Sequence, residues 1–313
     1  RVYARFDLND VRNGLFPKGA SDELVRALRS TIKTGKPPSL ASEEHATPPP
    51  TATRFGADGF LVGSPDHVHR FVEIVDAAAH DVFVLSTFVA AQADEKGREK
   101  RDRILDALDR AIARGVRCHL FLGTSLDENS KHALAMEEIR ARLSAGKTSR
   151  GFLHVHRDPV RSHAKFLAAD DGMGGAVVVI GSCNWLSSPF SAVEVSVVLR
   201  EAGAAAAGLD VLRSIVAVLP DATRSRENLR FMAAELRRSL LVGLRREPSG
   251  RPEARLGVVY AADHGPLLRK AAHEAERRFV CCTHRLGAPM VPALFTPAEV
   301  AGRRLDDVRV LYS

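Results

Sequence analysis

Residues 163–185 read HAKFLAADDGMGGAVVVIGSCNW, two apolar runs that flank a glycine-rich segment. The runs predict β-strands at residues 162–168 and 176–182, because each is short and rich in apolar side chains. The segment between them, residues 171–175, predicts the turn of a hairpin, since glycine adopts the backbone conformations that tight turns require. We therefore expect two antiparallel strands at this place in the chain.

Helices and apolar strands alternate on both sides of this hairpin. The alternation is typical of an α/β sandwich with a mixed sheet, which is the fold class that the sequence predicts. The further predicted helices span residues 65–80, 95–114, 131–145, 210–218 and 226–244, and the further strands span residues 82–88, 116–123, 152–157 and 193–199.

Four segments follow from composition and from a weak internal repeat. Residues 1–34 form an N-terminal segment of unknown role, and the proline-rich residues 35–56 have the composition of a linker. Residues 57–245 form one lobe that contains the hairpin. Residues 255–313 repeat the helix and strand pattern of residues 77–120, so we expect them to begin a second lobe.

Charge and hydropathy narrow the classes of partner. The chain has 313 residues, and 45 Lys and Arg against 38 Asp and Glu give a net charge of +7. This balance, with a sequence pI of about 9.5, favours an anionic partner. No apolar run reaches the roughly 18 residues that a bilayer span needs, and the chain start lacks a secretory signal pattern. We expect a cytoplasmic protein without membrane insertion.

Polar side chains converge at one end of the predicted hairpin. His163 and Lys165 are two residues apart, so both side chains leave the same face of a strand. Pairing around the centre of the turn puts Ser182 approximately opposite His163, and Asn184 follows Ser182 with the same spacing of two. Glu194 lies at the start of the next predicted strand. We expect these five side chains to surround one pocket.

An imidazole, an ammonium, a hydroxyl and an amide in one pocket suit a tetrahedral phosphodiester. The His163 imidazole can attack phosphorus to form a phosphohistidine, while Lys165, Ser182 and Asn184 donate to the non-bridging oxygens. Glu194 is the candidate that orients the imidazole by accepting a hydrogen bond from its other nitrogen. This chemistry needs no metal ion and no cofactor.

The pattern His163-x-Lys165-x4-Asp170, followed by Gly-Ser182-x-Asn184 and Glu194, closely resembles the HKD motif of the phospholipase D superfamily. The resemblance covers roughly residues 57–313 and implies an α/β sandwich with one complete lobe and the start of a pseudo-symmetric second lobe. It also implies an enzyme, and it counts Asp170 among the motif residues. From its place beside the turn, we expect Asp170 to have a structural or charge-balancing role.

Members of that superfamily usually unite two such motifs, one histidine acting as nucleophile and the other as general acid. This sequence contains one motif. Three explanations stay open: the second motif lies beyond residue 313, a homodimer supplies the second histidine, or the second lobe is degenerate. Because residues 255–313 repeat the start of the first lobe, we favour the first explanation.

The superfamily includes nucleases, phospholipases and phosphatidyltransferases, and the fold does not choose among them. The basic charge and the absence of an apolar membrane segment favour a DNA nuclease. The resemblance implies a bacterial restriction or anti-phage context, with a helicase or translocase as partner. The alternatives are a phospholipase or phosphatidyltransferase acting on lipid, and a catalytically inactive scaffold that binds nucleic acid.

Three further residues are candidates for binding substrate. Ser86 and Thr87 end a predicted strand, and His284 follows the equivalent strand of the repeat, so all three are expected to face the cleft.

Two His-x-His pairs, at residues 67–69 and 154–156, have the spacing of metal ligands. Neither pair has a third ligand nearby in the sequence, so we predict no metal site.

Overall fold

The computed structural model describes the chain in six longer stretches and several short ones. The longer stretches are residues 59–89, 95–124, 131–144, 151–156, 158–187 and 194–242. The short ones are residues 4–6, 51–53, 254–256, 278–283 and 307–312, with helical residues 25, 26, 29, 30, 33, 34, 267, 270, 271 and 274. All candidate site residues except His284 lie within these stretches.

Strands and helices alternate along the chain. In chain order the strands are β1 (Ala4–Phe6), β2 (Thr51–Thr53), β3 (Phe60–Val62), β4 (Asp81–Ser86), β5 (Arg117–Leu122), β6 (Phe152–Val155), β7 (Phe166–Asp170), β8 (Ala176–Gly181), β9 (Val195–Leu199), β10 (Ala254–Leu256), β11 (Arg278–Thr283) and β12 (Asp307–Tyr312). The helices are α1 (Ser64–Ala77), α2 (Glu95–Arg114), α3 (Lys131–Ser144), α4 (Ala202–Ile215) and α5 (Thr223–Leu241), and two 3-10 turns, Val216–Val218 and Pro220–Ala222, connect α4 to α5.

The chain divides into two compact units, Arg1–Pro49 with Val258–Ser313, and Pro50–Gly257. The first unit contains a sheet of order β1-β12-β11, in which β11 and β12 are parallel neighbours. The strands β4 and β5 of the second unit are also parallel neighbours. That residues 255–313 begin a second lobe stays a prediction.

Part of the proline-rich segment pairs with another strand. The sequence places Thr51–Thr53 in a linker, whereas in the structure they form β2, which pairs antiparallel with β10. Two of the three β2 residues are threonines, and β-branched side chains favour an extended backbone.

The second unit is built on a seven-stranded mixed sheet of order β3-β9-β8-β7-β4-β5-β6. Neighbours among β4, β5 and β6 are parallel, and the remaining pairs are antiparallel. The predicted fold class, α/β with a mixed sheet, is confirmed.

Helices cover both faces of this sheet. Buried side chains of α1, α2 and α3 pack with Val82 and Val84 of β4 on one face. Those of α4 and α5 pack with Phe83 and Leu85 on the other face. Because β4 is buried on both faces, its sequence is a continuous apolar run rather than an alternating one.

Helix α4 begins well before the predicted start at residue 210. Its first half, Ala202 to Gly208, is rich in alanine and glycine and therefore lacks the apolar period that marks a helix. Small residues let this helix approach the sheet closely. A Cβ atom on Gly208 would lie 3.0 Å from Cγ1 of Val178 in β8.

The hairpin forms with a register one residue away from the predicted one. Phe166 pairs with Ile180 and Asp170 with Ala176, so Ser182 is one residue away from the position that this register would place opposite His163. The turn spans residues 171–175, because the Asp171 carboxylate accepts hydrogen bonds from the backbone N–H groups of residues 173 and 175. Strand β7 also begins at Phe166, so His163 and Lys165 precede it.

No helix in the described stretches of the chain is both long enough and apolar enough to cross a bilayer.

Candidate active site

Four chain segments meet at one edge of the seven-stranded sheet. They are the end of β4, the segment before β7, the end of β8 and the start of β9. They share this edge because β7 runs antiparallel to both β4 and β8, and β9 runs antiparallel to β8. The topology therefore brings together residues that are far apart in the sequence.

His163 and Lys165 are in direct contact. Lys165 Nζ lies 2.9 Å from Nδ1 and 3.3 Å from Nε2 of His163, and it donates a 2.7 Å hydrogen bond to the His163 carbonyl oxygen. The His163 side chain is exposed, whereas Lys165 is only 4% exposed. The imidazole is thus open to a ligand, and a buried ammonium lies directly against it.

Burial shifts the ionisation of Lys165. Removal from water lowers the pKa of this amine from 10.5 to about 8, although the nearby Glu194 carboxylate acts in the opposite direction. An amine with this pKa titrates close to neutral pH, and an anion bound beside it would favour the charged form.

Ser182 and Glu194 form a hydrogen-bonded pair. The Ser182 hydroxyl donates to Oε2 of the buried Glu194 and accepts a 3.0 Å hydrogen bond from the backbone N–H of Val195. The Glu194 carboxylate also acts on the pKa of Lys165, so it lies close enough to interact with both Ser182 and Lys165.

Asn184 connects the motif to the end of β4. Its Oδ1 atom accepts a 3.1 Å hydrogen bond from the backbone N–H of Thr87. This contact fixes the orientation of the amide and leaves Nδ2 as the group that can donate to a ligand.

Asp170 lies at the opposite end of β7. Its carboxylate accepts hydrogen bonds from four backbone N–H groups, those of Ala79, His80, Asp81 and Gly172, at 2.8–3.1 Å. It therefore joins the end of β7 to the connection between α1 and β4. The structure does not bring Asp170 together with His163.

The candidate substrate-binding residues at the end of β4 are buried. The Ser86 hydroxyl donates to the carbonyl oxygen of Phe88 at 2.8 Å and accepts from the backbone N–H of Leu186 at 3.4 Å, so it is engaged inside the protein. Thr87 is also buried, and its hydroxyl has no hydrogen-bond partner among the described residues. His284 lies outside the described residues.

Two further side chains at this edge were not among the sequence candidates. Phe88 is 36% exposed, and its ring lies edge-on to His163 with 6.1 Å between the centroids. Arg161 is exposed, and its φ of 53° is in the left-handed region that non-glycine residues rarely adopt. The sequence signal for Phe88 was its place as an aromatic residue at the end of the predicted strand 82–88, and Arg161 had no signal beyond its proximity to the motif.

Glycines allow the close packing of this edge. A Cβ atom on Gly181 would lie 2.0 Å from Oγ of Ser196 and 2.4 Å from the carbonyl oxygen of Val195. One on Gly123, after β5, would lie 2.2 Å from the carbonyl oxygen of Ser162. Glycine is therefore required at residue 181, which lies against β9, and at residue 123, which lies against the segment that precedes His163.

Comparison with known proteins gives one family match. Residues 74–210 match the family model described as cardiolipin synthase, PLD-like domain. This range includes every candidate motif residue from His163 to Glu194. No curated protein matches the sequence.

Solved structures give distant similarities. Phosphatidylserine synthase of Haemophilus influenzae shares 13% identity at a TM-score of 0.48, over 92% of this chain and 65% of that protein. NucT of Helicobacter pylori shares 13% identity at a TM-score of 0.32, over 50% of this chain and 93% of NucT. The archaeal chromatin protein TrmBL2 shares 14% identity at a TM-score of 0.30, over 50% of each chain. The chain thus spans less than two thirds of the phosphatidylserine synthase and half of the chromatin protein.

Proposed function

Residues 74–210 of this chain belong to the phospholipase D-like family, and we propose that the domain hydrolyses phosphodiester bonds of DNA through a covalent phosphohistidine, without a metal ion. The observation that carries the proposal is the exposed His163 imidazole in contact with the buried Lys165 ammonium. A nucleophile that a ligand can reach, held against a cation, is what attack on a phosphodiester requires.

The reaction proceeds in two displacements. A ring nitrogen of His163 attacks phosphorus, a P–N bond forms, and the P–O bond to the leaving oxygen breaks. The leaving oxygen takes up a proton from a general acid, which the family resemblance assigns to a second histidine from another motif or from a second copy of this chain. Water then cleaves the P–N bond and regenerates His163.

Three groups surround the phosphate oxygens. Lys165 supplies positive charge beside His163, and Asn184 supplies the Nδ2 donor that its contact with Thr87 leaves available. The Ser182 hydroxyl donates to Glu194 in this structure, so it contributes to phosphate binding by turning from the carboxylate toward a phosphate oxygen. Glu194 also balances the charge of Lys165.

Two features support DNA as the substrate. The chain has a net charge of +7, which favours a polyanion. At the site itself, the exposed Arg161 can contact a neighbouring phosphate, and the partly exposed Phe88 ring beside His163 offers a surface on which a base can stack.

One assay tests the proposal. Purified protein is incubated in EDTA with single-stranded DNA, duplex DNA, RNA and phospholipid vesicles in parallel. We expect cleavage of DNA by the wild-type protein and by His80→Ala, a control at an exposed histidine, and no cleavage by His163→Ala. Brief reaction with DNA labelled at the scissile phosphate should leave an acid-labile label on the protein. Full activity of His163→Ala would refute the assignment.

A lipid substrate is the second candidate, because the matched family model carries the description of a cardiolipin synthase. Vesicles that contain phosphatidylglycerol test it directly. Turnover of lipid with no cleavage of nucleic acid would favour this candidate, and binding of DNA without any turnover would favour a scaffold.

A further inference from the structure

Three histidines lie together on a part of the sheet that the proposed reaction does not use. They are His119 of β5, His154 of β6 and His156 just after β6, and one ring nitrogen of each lies within 4.8 Å of one of each of the others. The parallel register of β5 and β6 pairs His119 with His154, and the spacing of two puts His156 on the same face as His154. The rings of His154 and His156 stack with 4.0 Å between their centroids.

A carboxylate lies against two of the three histidines. Asp221, in the turn between α4 and α5, has Oδ1 3.0 Å from Nδ1 of His156 and Oδ2 3.7 Å from Nε2 of His154. In a tetrahedral zinc site with ligand distances of about 2.0–2.2 Å, the ligand atoms are about 3.4 Å from one another. Each carboxylate oxygen lies against a different histidine, and the separations of 3.0 and 3.7 Å are both close to that value.

The buried part of the cluster contains an incompletely satisfied imidazole. His119 is fully buried, and its Nε2 atom has no hydrogen-bond partner among the described residues, although Oδ1 of Asp81 is 3.5 Å away. Ser225 holds both buried rings, since its hydroxyl lies 2.9 Å from Nδ1 of His119 and 3.2 Å from Nε2 of His156. Side chains that hold the rings of ligating histidines are a regular feature of metal sites.

The access route suits a cation. The side chains of His154 and Asp221 are partly exposed, so an ion can enter the cluster from solvent.

We propose that His119, His154, His156 and Asp221 form a binding site for a divalent ion of the zinc class. Imidazole and carboxylate ligands select ions of this kind. The ion would join the edge strand β6 and its neighbour β5 to the connection between α4 and α5. Its role is structural, because these residues lie on β5, β6 and the α4–α5 turn, and His163 and Lys165 precede β7.

Metal binding to the whole chain tests the proposal. Protein treated with EDTA and dialysed is titrated with Zn²⁺ in a calorimeter, and separately with Co²⁺, whose visible absorption reports tetrahedral coordination. We expect one ion per chain and a higher melting temperature in the presence of Zn²⁺. Failure of the wild-type protein to bind Zn²⁺ would overturn the proposal and would show that the cluster is a hydrogen-bond network only.

Two variants and one control locate the site. His154→Ala and Asp221→Asn each remove a partly exposed ligand and should weaken Zn²⁺ binding by at least about tenfold. His69→Ala removes an exposed histidine of α1, which contacts Glu73, and should bind like the wild type. Unchanged affinity in both ligand variants would contradict the proposal. DNA cleavage in EDTA is measured separately, so the two proposals can fail independently.

Discussion

Lys165 Nζ lies 2.9 Å from Nδ1 of His163, which places a buried ammonium directly against an exposed imidazole. In this arrangement Lys165 stabilises charge that develops on a phosphate attacked by His163. Lys165→Met should lower kcat for DNA cleavage by about 10²–10³, the usual effect of removing one group that stabilises the transition state. Lys270→Met, at an exposed lysine that pairs with Glu274, is the matched control. Normal kcat in Lys165→Met would exclude this role.

The pH dependence of cleavage should report Lys165. Burial lowers the pKa of its amine to about 8, so the charge that binds phosphate is present below pH 8 and is lost above it. We therefore expect kcat/KM, which reports ionisations of the free enzyme, to fall above about pH 8. In Lys165→Arg the side chain stays charged, and this fall should disappear. A fall at the same pH in the arginine variant would assign the ionisation to another group.

The same amine should make stability depend on pH. Its pKa is lower in the folded chain than the ordinary value of 10.5, so the unfolded chain binds more protons between about pH 8 and 10.5. The destabilising effect of the buried charge is complete below pH 8 and is relieved as the pH rises toward 10.5. The free energy of unfolding, measured in urea at several pH values, should therefore rise between about pH 8 and 10.5 in the wild type relative to Lys165→Met. Parallel curves for the two proteins would contradict it.

Gly181 should tolerate no side chain. A Cβ atom there would lie 2.0 Å from Oγ of Ser196, so Gly181→Ala forces β8 and β9 apart and should destabilise the unit by more than about 3 kcal/mol, above the usual range for a point mutation. Gly174→Ala is the control, because Gly174 has a φ of 81° but nothing within 4 Å of the added carbon. It should cost only about 1–2 kcal/mol of backbone strain. If Gly181→Ala and Gly174→Ala lowered the melting temperature equally, close packing at Gly181 would not be what destabilises the first variant.

Local patterns in the sequence were enough to predict most helices and strands of residues 64–242, although the first half of α4 was missed. That His163, Lys165, Ser182 and Glu194 act together in one site stays a prediction. Periodicity and strand alternation depend on near neighbours, and both survive small changes in the rest of the fold. The hairpin register is one residue from the predicted one, because the strands pair symmetrically about Met173, the middle of the turn, and not about a point between residues 172 and 173.

Contacts between segments that are distant in the chain could not be predicted from the sequence. The requirement for glycine at residue 181 comes from Ser196 of the adjacent strand β9, and the third histidine beside His154 and His156 comes from β5. The hydrogen bond from the backbone N–H of Leu186 to the Ser86 hydroxyl likewise joins two segments that are distant in the sequence, β4 and the turn after β8. Each of these depends on how strands pair, which composition and spacing do not determine.

Asp170 should act on stability and not on the chemical step. Its carboxylate accepts four backbone hydrogen bonds, and Asp170→Ala leaves buried donors without partners at a cost of about 1–3 kcal/mol for each group that water does not reach. We expect a lower melting temperature with nearly unchanged kcat per folded molecule. Asp171→Ala, at the adjacent turn, is the comparison. Loss of kcat at full stability would instead place Asp170 in the reaction.

Arg161 should contribute to DNA binding through one phosphate contact. It is exposed and lies two residues before His163, with a backbone in the left-handed region that glycine adopts without strain. Arg161→Gly should therefore retain stability, raise KM for DNA, and reduce the slope of log affinity against log salt by about 1, the change expected for one lost phosphate contact. Arg140→Ala, at an arginine of α3 that pairs with Glu137, is the control and should keep the wild-type slope. An unchanged slope in Arg161→Gly would show that this guanidinium does not touch the DNA backbone.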